Sequence, residues 1–258
     1  MGIVNITPDS FYDGGKSFSE TDAVLQCGKM VDEGAAIIDI GAMSSRPGSS
    51  IISSDEELQR LLPVLKLLIK NFQEVVFSID TLHAKVAAAA LEAGAHIIND
   101  ISAGTYDSSM LGVVAQYKAP MVMMHMQGLP EFMQNDPNYE NAVAEIYGYL
   151  AERIAAARAA GIKDVIIDPG FGFGKTLAHN FELLRDLQFF NNLNCPILVG
   201  LSRKGMITKT LGNSSAEALN GTTVLNTVSL MRGAKILRVH DVKAAKEAIQ
   251  LINRLNEK

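Results

Sequence analysis

Eight times along the chain a short apolar run ends in a cluster of polar residues. The runs are Gly2-Ile-Val-Asn5, Ile37-Ile-Asp39, Val76-Phe-Ser-Ile-Asp80, Ile97-Ile-Asn-Asp100, Val122-Met-Met-His125, Val165-Ile-Ile-Asp168, Ile197-Leu-Val-Gly-Leu-Ser-Arg-Lys204 and Ile236-Leu-Arg-Val-His240. Near-continuous apolar runs of this length suit strands buried on both faces. Stretches with helical periodicity separate them, so the chain reads βα eight times over. That plan predicts an α/β fold, a (β/α)8 TIM barrel. The polar residues all fall at the C-terminal ends of the runs, and on such a barrel that rim is the catalytic face.

Helix signals fall where this plan needs them. Ser53-Ser-Asp-Glu56 and Ser54-Asp-Glu-Glu57 are overlapping capping boxes, predicting a helix through about Ile69. Gly34, Gly94 and Gly161 each follow a helical run and read as C-caps. Asn141 to Ala160 is the longest predicted helix, and Asp241 is the expected cap of the last. The first two βα connections, Thr7–Glu20 and Met43–Ser54, are long, polar and glycine-containing. Long connections on this rim are expected to act as lids.

The length of 258 residues suits one such barrel, and no linker interrupts it, so residues 1–258 are expected to form a single domain. A hydrophobic fraction of 48% agrees with a large core. The net charge of −5 argues against a nucleic-acid partner, which needs a basic face, but leaves room for a small anion at a local cluster. Cys27 and Cys195 form neither a disulfide framework nor a metal-ligand spacing. No signal peptide and no apolar run of about 18 residues are present, so a soluble cytoplasmic protein without membrane partner is expected. The first strand begins almost at Met1, an abrupt start for a barrel, and a trimmed N-terminus is the expectation.

The candidate chemistry is acidic at one end and basic at the other. Asp39, Asp80, Asn99, Asp100 and Asp168 end strands, and unpaired carboxylates in one cavity would repel each other. A ring rich in N–H donors would satisfy them, as carboxylates and amides satisfy base edges. Any one of them could equally be held by a neighbouring backbone group. Arg46, Arg203, Lys204, Arg238 and His240 form a cationic set suited to a phosphate or diphosphate. His125 also ends a strand, where a hydrogen-bonded core histidine and a ligand are both open readings. Arg238 and His240 share a face if the strand period of two persists, favouring a joint role.

The stretch Asp168-Pro-Gly-Phe-Gly-Phe-Gly-Lys-Thr176 misses the phosphate-loop spacing, since Pro169 stands where the first glycine belongs. It reads as a tight turn over the barrel top, with Phe173 as an apolar wall. No Gly-x-Ser-x-Gly elbow and no zinc spacing appear. These residues point to a donor-rich ring bearing a phosphate or diphosphate, without fixing the reaction.

The chain resembles the dihydropteroate synthase family from end to end. The matching strings are Asn5-Ile-Thr-Pro-Asp-Ser-Phe-Tyr-Asp-Gly-Gly15, Ser45-Arg-Pro-Gly48, Ser78-Ile-Asp-Thr81, Ile97-Ile-Asn-Asp-Ile-Ser102, Met124-His-Met126, Asp168-Pro-Gly-Phe-Gly-Phe-Gly-Lys175, Ser202-Arg-Lys204 and Arg238-Val-His-Asp241. That family condenses 6-hydroxymethyl-7,8-dihydropterin diphosphate with p-aminobenzoate, releasing pyrophosphate, the folate-pathway step that sulfonamides block. The resemblance implies that Asp80, Asn99, Asp168, Phe173 and Lys204 hold the pterin. It assigns the diphosphate to Asn5, Ser45, Arg238 and His240, with Mg²⁺ on Asn5. The p-aminobenzoate pocket falls to Phe11, Ser45, Arg46, Pro47 and Lys204, and catalytic duty to Lys204, Asp80, Asp168, Arg46 and Asp13.

A dissociative mechanism and a homodimer are also implied. Two positions depart from the usual pattern: Met43 replaces a frequent carboxylate, and Gly205 a frequent serine. A methyltransferase barrel acting on methyltetrahydrofolate, or a non-catalytic pterin-binding paralogue, would share the pterin-reading carboxylates. Pyrophosphate release separates the three.

Overall fold

The computed structural model describes residues 1–6, 20–44 and 48–257. Eight parallel strands lie in the order of the chain. They are β1 (Gly2–Asn5), β2 (Ile37–Gly41), β3 (Val76–Asp80), β4 (Ile97–Asp100), β5 (Met121–Met124), β6 (Val165–Asp168), β7 (Ile197–Val199) and β8 (Ala234–Leu237). The barrel closes beyond the end of β8, where Gly2 bridges Val239 in parallel. Ile3 N donates to Val239 O at 3.1 Å, and Val239 N to Met1 O at 2.9 Å. Around it run α1 (Glu20–Asp32), α2 (Ser54–Asn71), α3 (Ala84–Glu92), α4 (Met110–Gln116), α5 (Ala142–Ala160) and α6 (Leu177–Arg185). After a 3-10 turn over Leu187–Leu193 come α7 (Gly205–Leu211), α8 (Leu219–Met231) and α9 (Val242–Asn256).

Strand alternation sorts the side chains into layers. Ile38, Ile40, Phe77, Ile79 and Ile98 pack outward with the helices' apolar stripes, such as Leu61, Leu65 and Leu68 of α2, in the main core. Ile97, Val122 and Leu198, with Ile37, Val76, Ile166 and Ile236, form a separate apolar plug. The strands position the next layer through their register. Asn5 pairs with Gly41, Gly41 with Asp80, and Asp80 with Asn99, so one row of the barrel carries Asn5, Asp80 and Asn99. The apolar plug thus lies one pleat below a polar floor.

The helix signals mostly hold. Ser53 caps α2, accepting from Glu56 N at 3.2 Å. Asn141 caps α5, accepting from Ala144 N at 3.0 Å, and Gly161 closes that helix at φ +100°. The second capping box is corrected. Ser54 is already helical, and Glu57 turns inward and is buried, with His83 Nε2 at 3.9 Å from its carboxyl. Burial pushes that carboxyl up to about 7. Asp241 precedes α9 but makes no side-chain cap; its carboxylate is held by Arg203.

Candidate active site

The polar floor is organised by Arg238, just past β8. Its Nε donates to Asp39 Oδ2 at 2.6 Å and its Nη2 to Asp80 Oδ2 at 2.9 Å. Asn99 Nδ2 donates to the same Asp39 oxygen at 3.0 Å. One guanidinium therefore bridges two buried carboxylates that would otherwise repel, which is how they coexist. Burial pushes the Asp80 carboxyl up to about 7, although Arg238 pulls it down. Asp39 is fully buried and its Oδ2 is taken by this network, while its Oδ1 is buried without a hydrogen-bond partner; Asp80 and Asn99 keep their remaining lone pairs and donors for the cavity.

Across the barrel, Asp168 ends β6 and accepts from Gly170 N at 2.7 Å. Burial pushes its carboxyl up, against the pull of Lys204. Lys204 ends the β7–α7 connection, at the N-cap position of α7, and its ammonium donates back to Phe171 O. Its Nζ lies 4.7 Å from the Phe173 ring centre. Burial pulls Lys204 down to about 8, while Asp168 and Asp80 favour its charge. Gly200 leaves room here: a Cβ on it would lie 3.8 Å from Lys204 Nζ and 3.9 Å from Arg238 Cβ. Asp80, Asn99, Asp168, Lys204 and Arg238 therefore converge on one mouth, with Phe173 beside it. Phe173 also packs on an apolar cluster of Met43, Leu82, Ile101 and Met124. Met43, which departs from the family pattern, is buried in that cluster and has an apolar task.

Other strand-end residues have structural partners. Asp100 points away from this mouth and accepts from Ser102 N, Ser102 Oγ and Gly104 N, each at 2.7 Å. His125 is a buried core histidine. Its Nδ1 lies 3.0 Å from Lys175 Nζ, and its ring meets Tyr149 edge-on at 4.9 Å. Burial pulls it down to about 3, so it is neutral. Lys175 Nζ also donates to His125 O at 3.3 Å and Phe173 O at 2.9 Å. Burial holds this amine well below the ordinary lysine range, with Asp168 pulling the other way. Only its place in the glycine-rich motif hinted at this support beneath Phe173.

The cationic set divides. Arg203 was expected to face an anion; it is instead turned to Asp241. His240 is exposed, with its backbone N and ring Nδ1 on Ser202 Oγ at 3.2 and 3.1 Å. Arg238 and His240 therefore engage different partners within the protein. Phe11, Asp13, Ser45, Arg46 and Pro47, and nearly all of the first long connection, lie outside the described residues.

Asn5 ends β1 beside this mouth, its Oδ1 3.6 Å from where a Cβ on Gly41 would stand. Among the described residues no group of three or more His, Cys, Asp or Glu gathers for a metal. A single neutral oxygen fits Mg²⁺ only as an ion that shares its shell with diphosphate oxygens and water.

Comparison with known proteins matches this arrangement to one family. The model of the pterin-binding enzymes matches residues 1–240. Dihydropteroate synthase of Escherichia coli (strain K12) is 44% identical over 254 residues, covering 98% of this chain and 89% of that protein. The Yersinia pestis dihydropteroate synthase, solved with a sulfonamide drug complex, superposes with a TM-score of 0.94 at 40% identity, covering 98% of this chain and 92% of that one. The Xanthomonas albilineans enzyme, solved with 4-aminobenzoic acid, gives 0.92 at 40% identity, covering 100% and 92%. This chain belongs to the pterin-binding enzyme family, among its dihydropteroate synthases.

Proposed function

We propose that this barrel mouth is where the chain, as a dihydropteroate synthase, joins 6-hydroxymethyl-7,8-dihydropterin diphosphate to p-aminobenzoate, and that Asp80, Asn99, Asp168 and Lys204 hold the pterin. The observation that carries this assignment is their convergence at one end of the strands, two carboxylates and an amide facing one ammonium. The carboxylates accept the ring's N–H groups, and Asn99 supplies an amide. Lys204 donates to a ring acceptor from the Phe173 side. As the C–O bond to the diphosphate breaks, positive charge grows on the pterin methylene, and the carboxylates of Asp80 and Asp168 stabilise it. The arylamine nitrogen then attacks that carbon and afterwards loses a proton.

Arg238 retains its Nη1 for the leaving diphosphate, and His240 stands at the exposed end of the same connection. When bound, Mg²⁺ would neutralise charge on the diphosphate, with Asn5 as its protein ligand among the described residues. Phe11, Ser45, Arg46 and Pro47 would complete the p-aminobenzoate side, and Asp13 the closed loop assembly, as the family resemblance implies. The reported complexes of relatives with a sulfonamide and with 4-aminobenzoic acid support a pocket of that chemistry.

Asp168→Asn and Asp80→Asn are each expected to weaken a pterin-site ligand by roughly 1.5–3 kcal/mol, the worth of a hydrogen bond to a charged group. Calorimetry measures this, and unchanged affinity in both variants removes them from the pocket. The sign of the pH effect follows from Asp80. Its carboxyl is raised to about 7, so it takes up a proton as pH falls through that value and ceases to accept at one oxygen. Pterin affinity should decline toward acid, and Asp80→Asn should flatten that part of the profile.

The lone neutral Asn5 oxygen motivates a second expectation. Mg²⁺ should bind the free enzyme weakly, and a sulfonamide should bind roughly 10-fold or more tighter with pyrophosphate and Mg²⁺ than without, a coupling within the usual 1–3 kcal/mol. Titrating a labelled sulfonamide under both conditions decides it; equal affinities mean a preformed pocket.

We also infer a homodimer. Leu219, Val224 and Met231 of α8 and Leu211 of α7 are exposed apolar side chains on neighbouring helices, which supports a covered face there. A monomer in sedimentation at micromolar concentration removes it. No described helix is long and apolar enough to cross a membrane. Cytoplasmic residence is proposed on the two free cysteines; recovery of the protein outside the cytosol on fractionation would exclude it.

A further inference from the structure

The β7–α7 connection is held at two consecutive residues by the connection after β8. Ser202 Oγ receives His240 N at 3.2 Å, and Arg203 grips Asp241 with both prongs of its fork, Nε to Oδ2 at 2.9 Å and Nη2 to Oδ1 at 2.6 Å. The Arg203 backbone N also donates to Thr222 Oγ1 on α8 at 3.1 Å. Lys204 N returns to Leu201 O at 3.1 Å, closing a tight turn with Arg203 at its third position. Arg203 sits there at φ +58°, a left-handed conformation that L side chains adopt at a cost and glycine adopts freely. An arginine in a place suited to glycine points to work done by its side chain, and that side chain holds Asp241 through two of its nitrogens. Both partners are about four-fifths buried, with side-chain exposures of 22% and 20%. A bidentate pair so placed is stiff in a way a surface pair is not.

We propose that the Arg203–Asp241 ion pair is a clamp that fixes the left-handed turn and so aims the next residue, Lys204, into the reaction site; Arg203 and Asp241 are positioning residues. The inference rests on the reading that places Lys204 in that site. The Lys204 side chain must reach Phe171 O and the face of the Phe173 ring from this one turn. A displacement of about 1 Å at a reacting group can cost on the order of 100-fold in rate. The pair links the connections that follow β7 and β8 at the rim, past the last paired residues Val199 and Leu237.

The test is Arg203→Gly, Asp241→Asn and the double variant, with Lys204→Ala as control, each assayed for pyrophosphate release and for thermal melting. Arg203→Gly removes the clamp while easing the backbone, so it should stay folded. Its kcat is expected to fall by about 10- to 100-fold, a rim-scale shift of Lys204 by the same reasoning. Asp241→Asn should fall in the same direction, and the double variant no further than the worse single variant. The alkaline limb of kcat/KM for the pterin substrate, set by a Lys204 pulled down to about 8, should move upward in Arg203→Gly, because a loosened ammonium is better solvated. A purely structural tie would not move that limb.

A folded Arg203→Gly with kcat within twofold of the parent overturns the clamp. So does a loss that tracks the folded fraction, or single losses that multiply in the double variant. If Arg203→Gly alone weakens pyrophosphate binding while Asp241→Asn does not, Arg203 is an anion ligand and the clamp is wrong. A fully active Lys204→Ala would instead bring down the site assignment itself, whatever the clamp variants do.

Discussion

Lys204→Ala is expected to lower kcat by roughly 100- to 1000-fold, the usual cost of removing one preorganised group aimed at developing charge. Three observations set that magnitude. The ammonium is half-buried and drawn on by two raised carboxylates, so its charge acts in a lower dielectric than water. It donates to Phe171 O and lies over Phe173, so it is already oriented before any substrate arrives. Its removal leaves Asp168 and Asp80 with less compensating charge, which should raise both further and weaken the pterin site as well. The loss should therefore appear in kcat and in pterin affinity together, rather than in one KM. Steady-state kinetics with each substrate varied in turn measures this, and a near-normal kcat removes Lys204 from the chemistry. Lys204→Arg should recover little, because a planar guanidinium fork does not reproduce a compact ammonium donating to Phe171 O from over the Phe173 ring.

The strands were legible because each buries both faces and so reads as an apolar run, and the rim residues because they end those runs. Asp80, Asn99 and Asp168 stand where that pattern puts them. What local spacing cannot carry is pairing over long separations. Arg238 meets Asp39 across 199 positions and Asp80 across 158, so its commitment to the acidic row is invisible in the string. The same holds for Arg203 and Asp241, two residues that separately looked like an anion ligand and a helix cap. Asp100 shows the opposite failure. It sits one residue after Asn99, so the strand period turns it out of the barrel, and three N–H and O–H donors within four positions consume it. Met43 looked like the loss of a carboxylate; burial beside Leu82, Ile101 and Met124 makes it part of the wall behind Phe173.

Gly170→Ala is expected to destabilise the protein by about 4 kcal/mol or more, a size reserved for forced backbone strain and core disruption. Gly170 adopts φ +73°, and a Cβ there would stand 1.9 Å from the His125 carbonyl oxygen. That oxygen cannot swing away cheaply, because Lys175 Nζ donates to it and His125 N pairs with Asp168 O at 3.0 Å. The Gly170 N–H is itself bound to Asp168 Oδ1, so relief by moving Gly170 would drag a pterin ligand. Urea unfolding and melting measure the loss, and a change under about 1 kcal/mol would mean that the close approach of the two connections is wrong. Two further glycines make the expectation a graded series.

Gly172→Ala meets φ +84° but only the flexible Lys204 Cδ at 3.4 Å, so it should lose less stability while disturbing turnover through Lys204. Gly205→Ala lies exposed at the first position of α7, with nothing nearer than Lys209 Cε at 3.8 Å. There alanine's better helix propensity should leave stability unchanged or slightly raised. The order Gly170, Gly172, Gly205 in lost stability, with Gly172 alone losing activity out of proportion to its stability, would follow from the packing of the glycine-rich turn against Lys204. An equal effect at all three would mean that backbone freedom in general, not these contacts, places the glycines.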